Sequence, residues 1–271
     1  MVAAVSHPPG PTGGGAAHVP PPPRLQVFYG GTFDPVHNGH LQIARAVRDA
    51  LEAPVWLLPA ADPPHKHAPH ADADQRACML ELALAGEPGL EVDRRELLRA
   101  GPSYTVDTLG ELRAQSGPRA PIVWLIGSDS LHELHTWHRW RELFTHAHVL
   151  AVERPGSPVG AGPSALGPTA AAGVPGAQRR GVKGSRAEEP EAGEVYREIV
   201  PRWRPAQQLA HSPSGGFAVL PLPGLRPESS TRLRALIGAG GPWQDWVPVA
   251  VANYIRRHRL YACRAAPSSQ L

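Results

Sequence analysis

The chain has 271 residues, 42% of them hydrophobic and 19% charged, with a formal net charge of +3 and a pI near 9.1. Such a chain can build a sizeable core and suits an anionic small substrate; without a run of Lys or Arg it offers no nucleic-acid-binding arm. Two cysteines, Cys78 and Cys263, exclude a disulfide framework and fit a reducing cytoplasm, and no apolar run approaches the roughly 20 residues that span a bilayer.

Residues 1–23 lack a continuous apolar stretch and read as a disordered tail rather than a signal peptide. LQVFYG (25–30) is a short run of β-formers and predicts a buried strand. In HLQIARAVRDALE, Leu41, Ala44, Val47, Ala50 and Leu51 recur at helical spacing. VWLLPA (55–60) predicts a second strand, ADPPHKHAPHADA (61–73) a loop, DQRACMLELALAGE (74–87) a helix and LEVDRREL (90–97) a further strand. SYTVDTLGELRAQS (103–116) predicts a turn running into a helix, PIVWLIGSDS (121–130) a strand meeting a turn, SLHELHTWHRWRELF (130–144) a helix and HVLAVERPG (148–156) a strand.

From about 156 to 194 the chain is rich in Gly, Pro and Ala with few large apolar residues. It cannot bury enough surface to offset its ordering entropy, so it predicts a disordered insertion. Order is expected to resume near FAVLPLP (217–223), a strand. RPESSTRLRALIGAG (226–240) then predicts a capped helix, VPVAVANYIRRHRLY (247–261) a terminal helix, and 262–271 a tail. Alternating β and α elements imply one α/β domain over 24–261, a doubly wound parallel sheet with a small C-terminal helical part. In such a sheet ligands lie beyond the carboxyl ends of the strands.

The strongest motif, GGTFDPVHNGH (30–40), falls at such an end. Gly30 and Gly31 after a strand let a ligand approach the backbone, and Thr32 and Phe33 continue the turn. The helix that follows presents unpaired N–H groups and a partial positive charge to a phosphate. His37 and His40, three apart, share one helical face and can donate to a polyphosphate. As half of a metal site the pair lacks a Cys or Glu at matching spacing. In SSTRLR, one of Ser229, Ser230 and Thr231 is expected to cap a helix, and Arg234 one turn on can help clamp a triphosphate. Gly127 and Asp129 stand at a strand end, where a carboxylate takes ribose hydroxyls. By residue type alone Lys66 is a solvated surface lysine, Asp107 favours a helix dipole, and Trp137 and Trp140 are core. Zinc on His65, His67 and His70, or on the His132, His135 and His138 stripe, is not expected.

GGTFDPVHNGHL resembles the signature of the HxGH nucleotidyltransferases, and in its full form that of bacterial nicotinate-nucleotide adenylyltransferases. PPHK (63–66), SYTVDTL (103–109), WLIGSDSLHELHTW (124–137), SSTRLR (229–234) and VANYIRRHRLY (251–261) match that family in order. The resemblance implies transfer of AMP from ATP to nicotinate mononucleotide, giving deamido-NAD and pyrophosphate. It implies ATP contacts from Gly30, Gly31, Thr32, Phe33, His37, His40, Lys66, Ser229, Ser230, Thr231 and Arg234, with His37, His40 and Arg234 catalytic. The pyridine nucleotide would meet Thr105, Asp107, Thr108, Gly127 and Asp129, with Trp137 stacked on its ring. In the family a proline often stands at the place of His135 and an aromatic at that of His138, so fine base specificity is left open. The nucleophile is a phosphate oxygen already anionic, so no general base is needed, and Mg²⁺ arrives with ATP rather than in a protein cage. Partners beyond the two nucleotides are not expected, neither nucleic-acid polymer nor membrane, and a homo-oligomer is left open. The alternatives are the same reaction on nicotinamide mononucleotide, and a nucleotide-binding module without turnover.

Overall fold

The computed structural model describes residues 24–61, 70–153, 190–222, 224, 226 and 228–262. The expectations for both chain tails, for Lys66 and for most of the low-complexity insertion fall outside those residues. Six strands form one parallel sheet: β1 (Gln26–Gly31), β2 (Val55–Pro59), β3 (Leu90–Val92), β4 (Ile122–Gly127), β5 (His148–Val152) and β6 (Phe217–Leu220). Their order across the sheet is β3-β2-β1-β4-β5-β6, so the chain reverses direction of winding between β1 and β4. β1 and β4 are adjacent in register from Gln26 opposite Ile122 to Tyr29 opposite Leu125, which opens a crevice beyond their carboxyl ends.

Period-two alternation builds two cores. Val27 and Tyr29 of β1, Val123 and Leu125 of β4, and Leu150 and Val152 of β5 face one layer. That layer is closed by α1 (Asn38–Leu51), α2 (Ala73–Leu84), α7 (Ser230–Gly238) and α8 (Val249–Arg257). Phe28, Ile122, Trp124, Ile126, Val149 and Ala151 face the other, against α3 (Thr105–Ser116), α4 (Ser128–His132), α5 (Leu143–His146) and α6 (Pro190–Ile199). Each Leu, Ile or Phe fully buried this way contributes about 1.5–3 kcal/mol of transfer free energy.

Helix ends follow local chemistry. Asp72 caps α2 in a reciprocal box with Gln75, α3 stops at Gly117 with φ 82°, and Ser229 accepts the Arg232 N–H to cap α7. Leu233 of α7 and Val251, Ala252 and Ile255 of α8 are buried in the same core cluster as one face of the sheet, with α8 packed against α2, so the C-terminal helices belong to the main core.

Three stretches differ from the sequence expectation. β3 ends at Val92, and residues 95–98 form a 3₁₀ turn. The helix expected over 130–144 is broken: α4 ends at His132, 3₁₀ turns occupy Leu134–Thr136 and Trp140–Glu142, and α5 follows. Trp137 is extended and Arg139 is left-handed at φ 50°, so His132, His135 and His138 do not share a helical face. A helix precedes β6 where none was expected, since α6 begins at Pro190 and buries Val195 and Ile199.

His148 of β5 is fully buried and bridges two turns. Its Nδ1 accepts the Gly216 N–H at 2.8 Å and its Nε2 donates to the Ser212 carbonyl at 2.7 Å. Burial, aided by the charges of Arg204 and Arg113, pushes the imidazole below its ordinary value near 6.5, against the opposing pull of the Ser212 carbonyl. The unfolded chain therefore binds a proton that the folded chain refuses. This contribution is whole above pH 6.5 and is lost as pH falls from there towards the lower folded value. His148→Asn is expected to melt lower at pH 8 yet lose less further stability between pH 7 and pH 5 than the parent. Parallel melting curves across that range would exclude His148 as an acid-sensitive group.

Candidate active site

A cavity of about 520 Å³ lies at the β1–β4 crevice, within the ~300–1,000 Å³ range of small-molecule sites. Gly30, Gly31, Thr32, Phe33, His37 and His40 line it from the first turn and α1, and Ser229, Ser230, Thr231 and Arg234 from the start of α7. Thr105, Gly127, Asp129 and Trp137 line it from the other half. Two helix N-termini, those of α1 and α7, thus open on one cavity, each with the partial positive charge that favours phosphate.

The two histidines do more than sit on that end. The His40 N–H donates to His37 Nδ1 and the His37 N–H donates to His40 Nδ1, both at 3.3 Å. Their rings stack with centroids 3.7 Å apart and 20° between planes. They are the capping box of α1, built from imidazoles rather than from Ser and Glu. Each Nδ1 accepts, so in the neutral ring Nε2 carries the proton. The fold thereby selects the tautomer that donates at Nε2. The His40 amide, one of the N–H groups at this helix start, is spent on the cap. Gly39 keeps space beside the His37 ring: a Cβ there would stand 3.1 Å from Nδ1, so the imidazole would have to give by a few tenths of an ångström.

Gly30 and Gly31 are filled from inside the protein. A Cβ on Gly30 would stand 2.3 Å from Trp124 Cζ2, and one on Gly31 would stand 2.9 Å from Phe33 Cζ. Trp124 and Phe33 also line the cavity, so these glycines let aromatic walls close in where the sequence suggested ligand approach. Gly30→Ala is expected to cost about 1–3 kcal/mol, because the indole has to move. An unchanged melting temperature would remove this packing argument.

On α7 the SSTRLR hydroxyls divide their work. Ser229 is the cap, Ser230 Oγ donates to the Pro35 carbonyl at 3.0 Å, and Thr231 Oγ1 accepts from Arg234 Nη2 at 3.5 Å. Arg234 Nη1 donates to the Asp34 carbonyl at 2.6 Å. This bond joins α7 to the glycine turn and holds the guanidinium at the cavity edge.

The pyridine-side expectations separate. Thr105, at the start of α3, faces the cavity, and that helix has no side-chain cap. Trp137 is half-buried beside it. Thr108 is fully buried behind the wall, donating to Glu96 Oε1 at 2.8 Å and accepting from Arg99 at 3.1 Å. Asp107 is exposed and pairs with Arg139 at 3.7 Å, off the cavity lining. Trp140 is core, as its residue type suggested.

Several lining residues had no sequence signal. Glu96 is buried on the wall, and burial pushes its carboxyl up against the opposing effects of the Thr108 hydroxyl and Arg99. Tyr104 lies against the His138 ring at 4.4 Å, and both line the cavity. His70 lines it too, with its N–H donating to Asp34 Oδ2 at 2.8 Å. Asp34 itself was readable as a carboxylate in a turn before proline, a place where burial demands donors. Among the described residues no group of three His, Cys, Asp or Glu is arranged to hold a metal, and no helix is long and apolar enough to cross a membrane.

Comparison with known proteins places the chain. The cytidylyltransferase-like family profile matches residues 28–235. A probable nicotinate-nucleotide adenylyltransferase of Stenotrophomonas maltophilia (strain K279a) is 48% identical over 243 residues, 88% of this chain and 96% of that relative. One of Laribacter hongkongensis (strain HLHK9) is 42% identical over 244 residues, 88% of this chain and 96% of its own length. Among solved structures, Plasmodium falciparum nicotinic acid mononucleotide adenylyltransferase complexed with NaAD shares the fold. Its TM-score is 0.61 at 13% identity, over 88% of this chain and 97% of that one. The chain belongs to the cytidylyltransferase-like family and, within it, to the nicotinate-nucleotide adenylyltransferases.

Proposed function

We propose that the chain transfers the adenylyl group of ATP to nicotinate mononucleotide in the cytoplasm, forming deamido-NAD and releasing pyrophosphate. The phosphate oxygen of the mononucleotide attacks the α-phosphorus of ATP, the new P–O bond forms, and the bond to the pyrophosphate oxygen breaks with its electrons. Both ends of this exchange are anionic, so the chemistry asks for alignment and charge neutralisation rather than a base.

The observation that carries this reading is the convergence of α1 and α7 on one cavity, with Nε2 donors from His37 and His40 and a guanidinium from Arg234. Donors fixed before the reaction stabilise charge developing on phosphate without reorganising. The uncapped start of α3 beside Trp137 favours nicotinate, since backbone N–H groups at a helix N-terminus suit a carboxylate and an indole suits a flat ring. Mg²⁺ belongs with ATP as part of the substrate. The lining residues fit an ion that keeps its waters and phosphate oxygens, with Asp129 as an exposed carboxylate nearby.

The test is pyrophosphate release from Mg-ATP with nicotinate or nicotinamide mononucleotide as acceptor. A clear kcat/KM preference for nicotinate is expected. Equal or reversed preference would overturn the nicotinate assignment, and no release with either would overturn adenylyl transfer.

A further inference from the structure

Asp34 is the most heavily engaged carboxylate of the turn that leads into α1. Its side chain is 4% exposed. Oδ1 accepts the Tyr261 hydroxyl at 2.8 Å and the Ala71 N–H at 3.2 Å, and Oδ2 accepts the His70 N–H at 2.8 Å. Arg234 Nη1 binds the Asp34 carbonyl and stands 3.8 Å from Oδ2. Asp34 therefore sits between the turn that follows α8 and the Arg234 guanidinium at the cavity edge.

The backbone around this contact is costly. Tyr261 has φ 60° and Arg259 φ 51°, and Phe33, next to Asp34, has φ 48°. Left-handed conformations at bulky residues are strained and persist where the surroundings over-determine them. The strained turn at Arg259–Tyr261 brings a phenol, half-buried against the core, onto a carboxylate of the site. Burial and the adjacent Asp34 carboxylate hold the phenol proton well above the usual tyrosine range, so the hydroxyl is a permanent donor.

We infer that Tyr261 is a positioning residue for ATP: its hydroxyl occupies Asp34 and so keeps the Arg234 guanidinium from collapsing onto that carboxylate. Without the hydroxyl, Oδ1 retains only the longer bond from Ala71, and the 3.8 Å gap to Arg234 can close into a tight ion pair. A guanidinium so paired is withdrawn from phosphate. The Arg76 guanidinium holds the same turn from below, donating to the Thr32 carbonyl at 2.9 Å and the Ala60 carbonyl at 2.6 Å, so the turn itself stays in place.

This inference rests on the reading of the cavity as an ATP site, and a double-mutant cycle separates the two. Mg-ATP affinity by calorimetry and pyrophosphate release are measured for the full chain, Tyr261→Phe, Arg234→Ala and the double variant. Tyr261→Phe is expected to weaken ATP binding roughly tenfold, or about 1.4 kcal/mol, with the KM for the mononucleotide moved less than about twofold. In the Arg234→Ala background the same change should alter ATP affinity less than about twofold, because the group it acts through is gone. Equal losses in both backgrounds, or none in the parent, would overturn the inference. Should Tyr261→Phe fail to fold, the change is made in an Asp34→Asn parent instead, where no carboxylate remains to capture Arg234: ATP affinity within about twofold of Asp34→Asn is expected, and a further tenfold loss would overturn the inference. A parent that binds ATP without releasing pyrophosphate would defeat the proposed reaction and leave this coupling measurable. A parent that does not bind ATP would defeat both.

Discussion

His40→Asn is expected to keep the α1 cap and to lose about 10²–10³-fold in kcat, the loss seen when one preorganised transition-state donor is removed. The asparagine oxygen reaches about where Nδ1 stood and can accept the His37 N–H, which now donates to the ring at 3.3 Å. What it cannot supply is the donor at Nε2. His40→Ala should lose turnover as well, and it should also cost about 0.5–2 kcal/mol of stability, because the reciprocal cap is broken. Melting curves and pyrophosphate release on both variants separate the two functions of one ring. A near-parental kcat for His40→Asn would show that the reacting phosphates do not depend on Nε2.

That dual role explains how much of the site could be read from the sequence. The spacing of His37 and His40 and their position after a strand were enough to put them at a helix N-terminus facing a cavity. Nothing in the spacing revealed that they cap each other, because the signature of a capping box is Ser or Thr with Glu or Gln. Strands β1, β2, β4 and β5 were legible because continuous apolar runs of β-formers bury on both faces. The stretch 130–144 was not. Leu131, Leu134, Trp137 and Trp140 recur every third residue, and that interval serves 3₁₀ turns as well as α-helix. Trp137 reaches the cavity because the chain leaves helical geometry there.

Asp34 illustrates the other limit. Its partners are His70, Ala71, Arg234 and Tyr261, separated from it by up to 227 residues. Local patterns carry no trace of such a hub, although its charge and its place in a buried turn require one. Thr108 erred in the opposite direction. It lies in a motif that touches the cavity, but one turn further into α3 than Thr105 it is fully buried with its hydroxyl on Glu96, off the cavity lining. A motif marks the segment that lines the cavity, and how deep each side chain lies in the packing decides which of them reach it.

Arg234→Lys is expected to be nearly as damaging as Arg234→Ala, each losing about 10²-fold in kcat/KM for ATP with a melting temperature close to the parent's. The guanidinium spends one nitrogen on the Asp34 carbonyl at 2.6 Å and another on Thr231 Oγ1 at 3.5 Å. Its planar fork permits that anchoring while presenting further N–H groups to phosphate. A lysine ammonium is a point charge on a flexible stem, and one that binds the Asp34 carbonyl has withdrawn from the cavity. The fold should tolerate either change, since the Arg234 side chain is 22% exposed and α7 is anchored by Leu233 and its Ser229 cap. The loss should appear chiefly in kcat if Arg234 meets charge that develops on the departing pyrophosphate, and chiefly in KM if it only holds bound ATP. Full activity in Arg234→Lys would reduce the clamp to simple charge neutralisation and would remove the reason for its tether to the glycine turn.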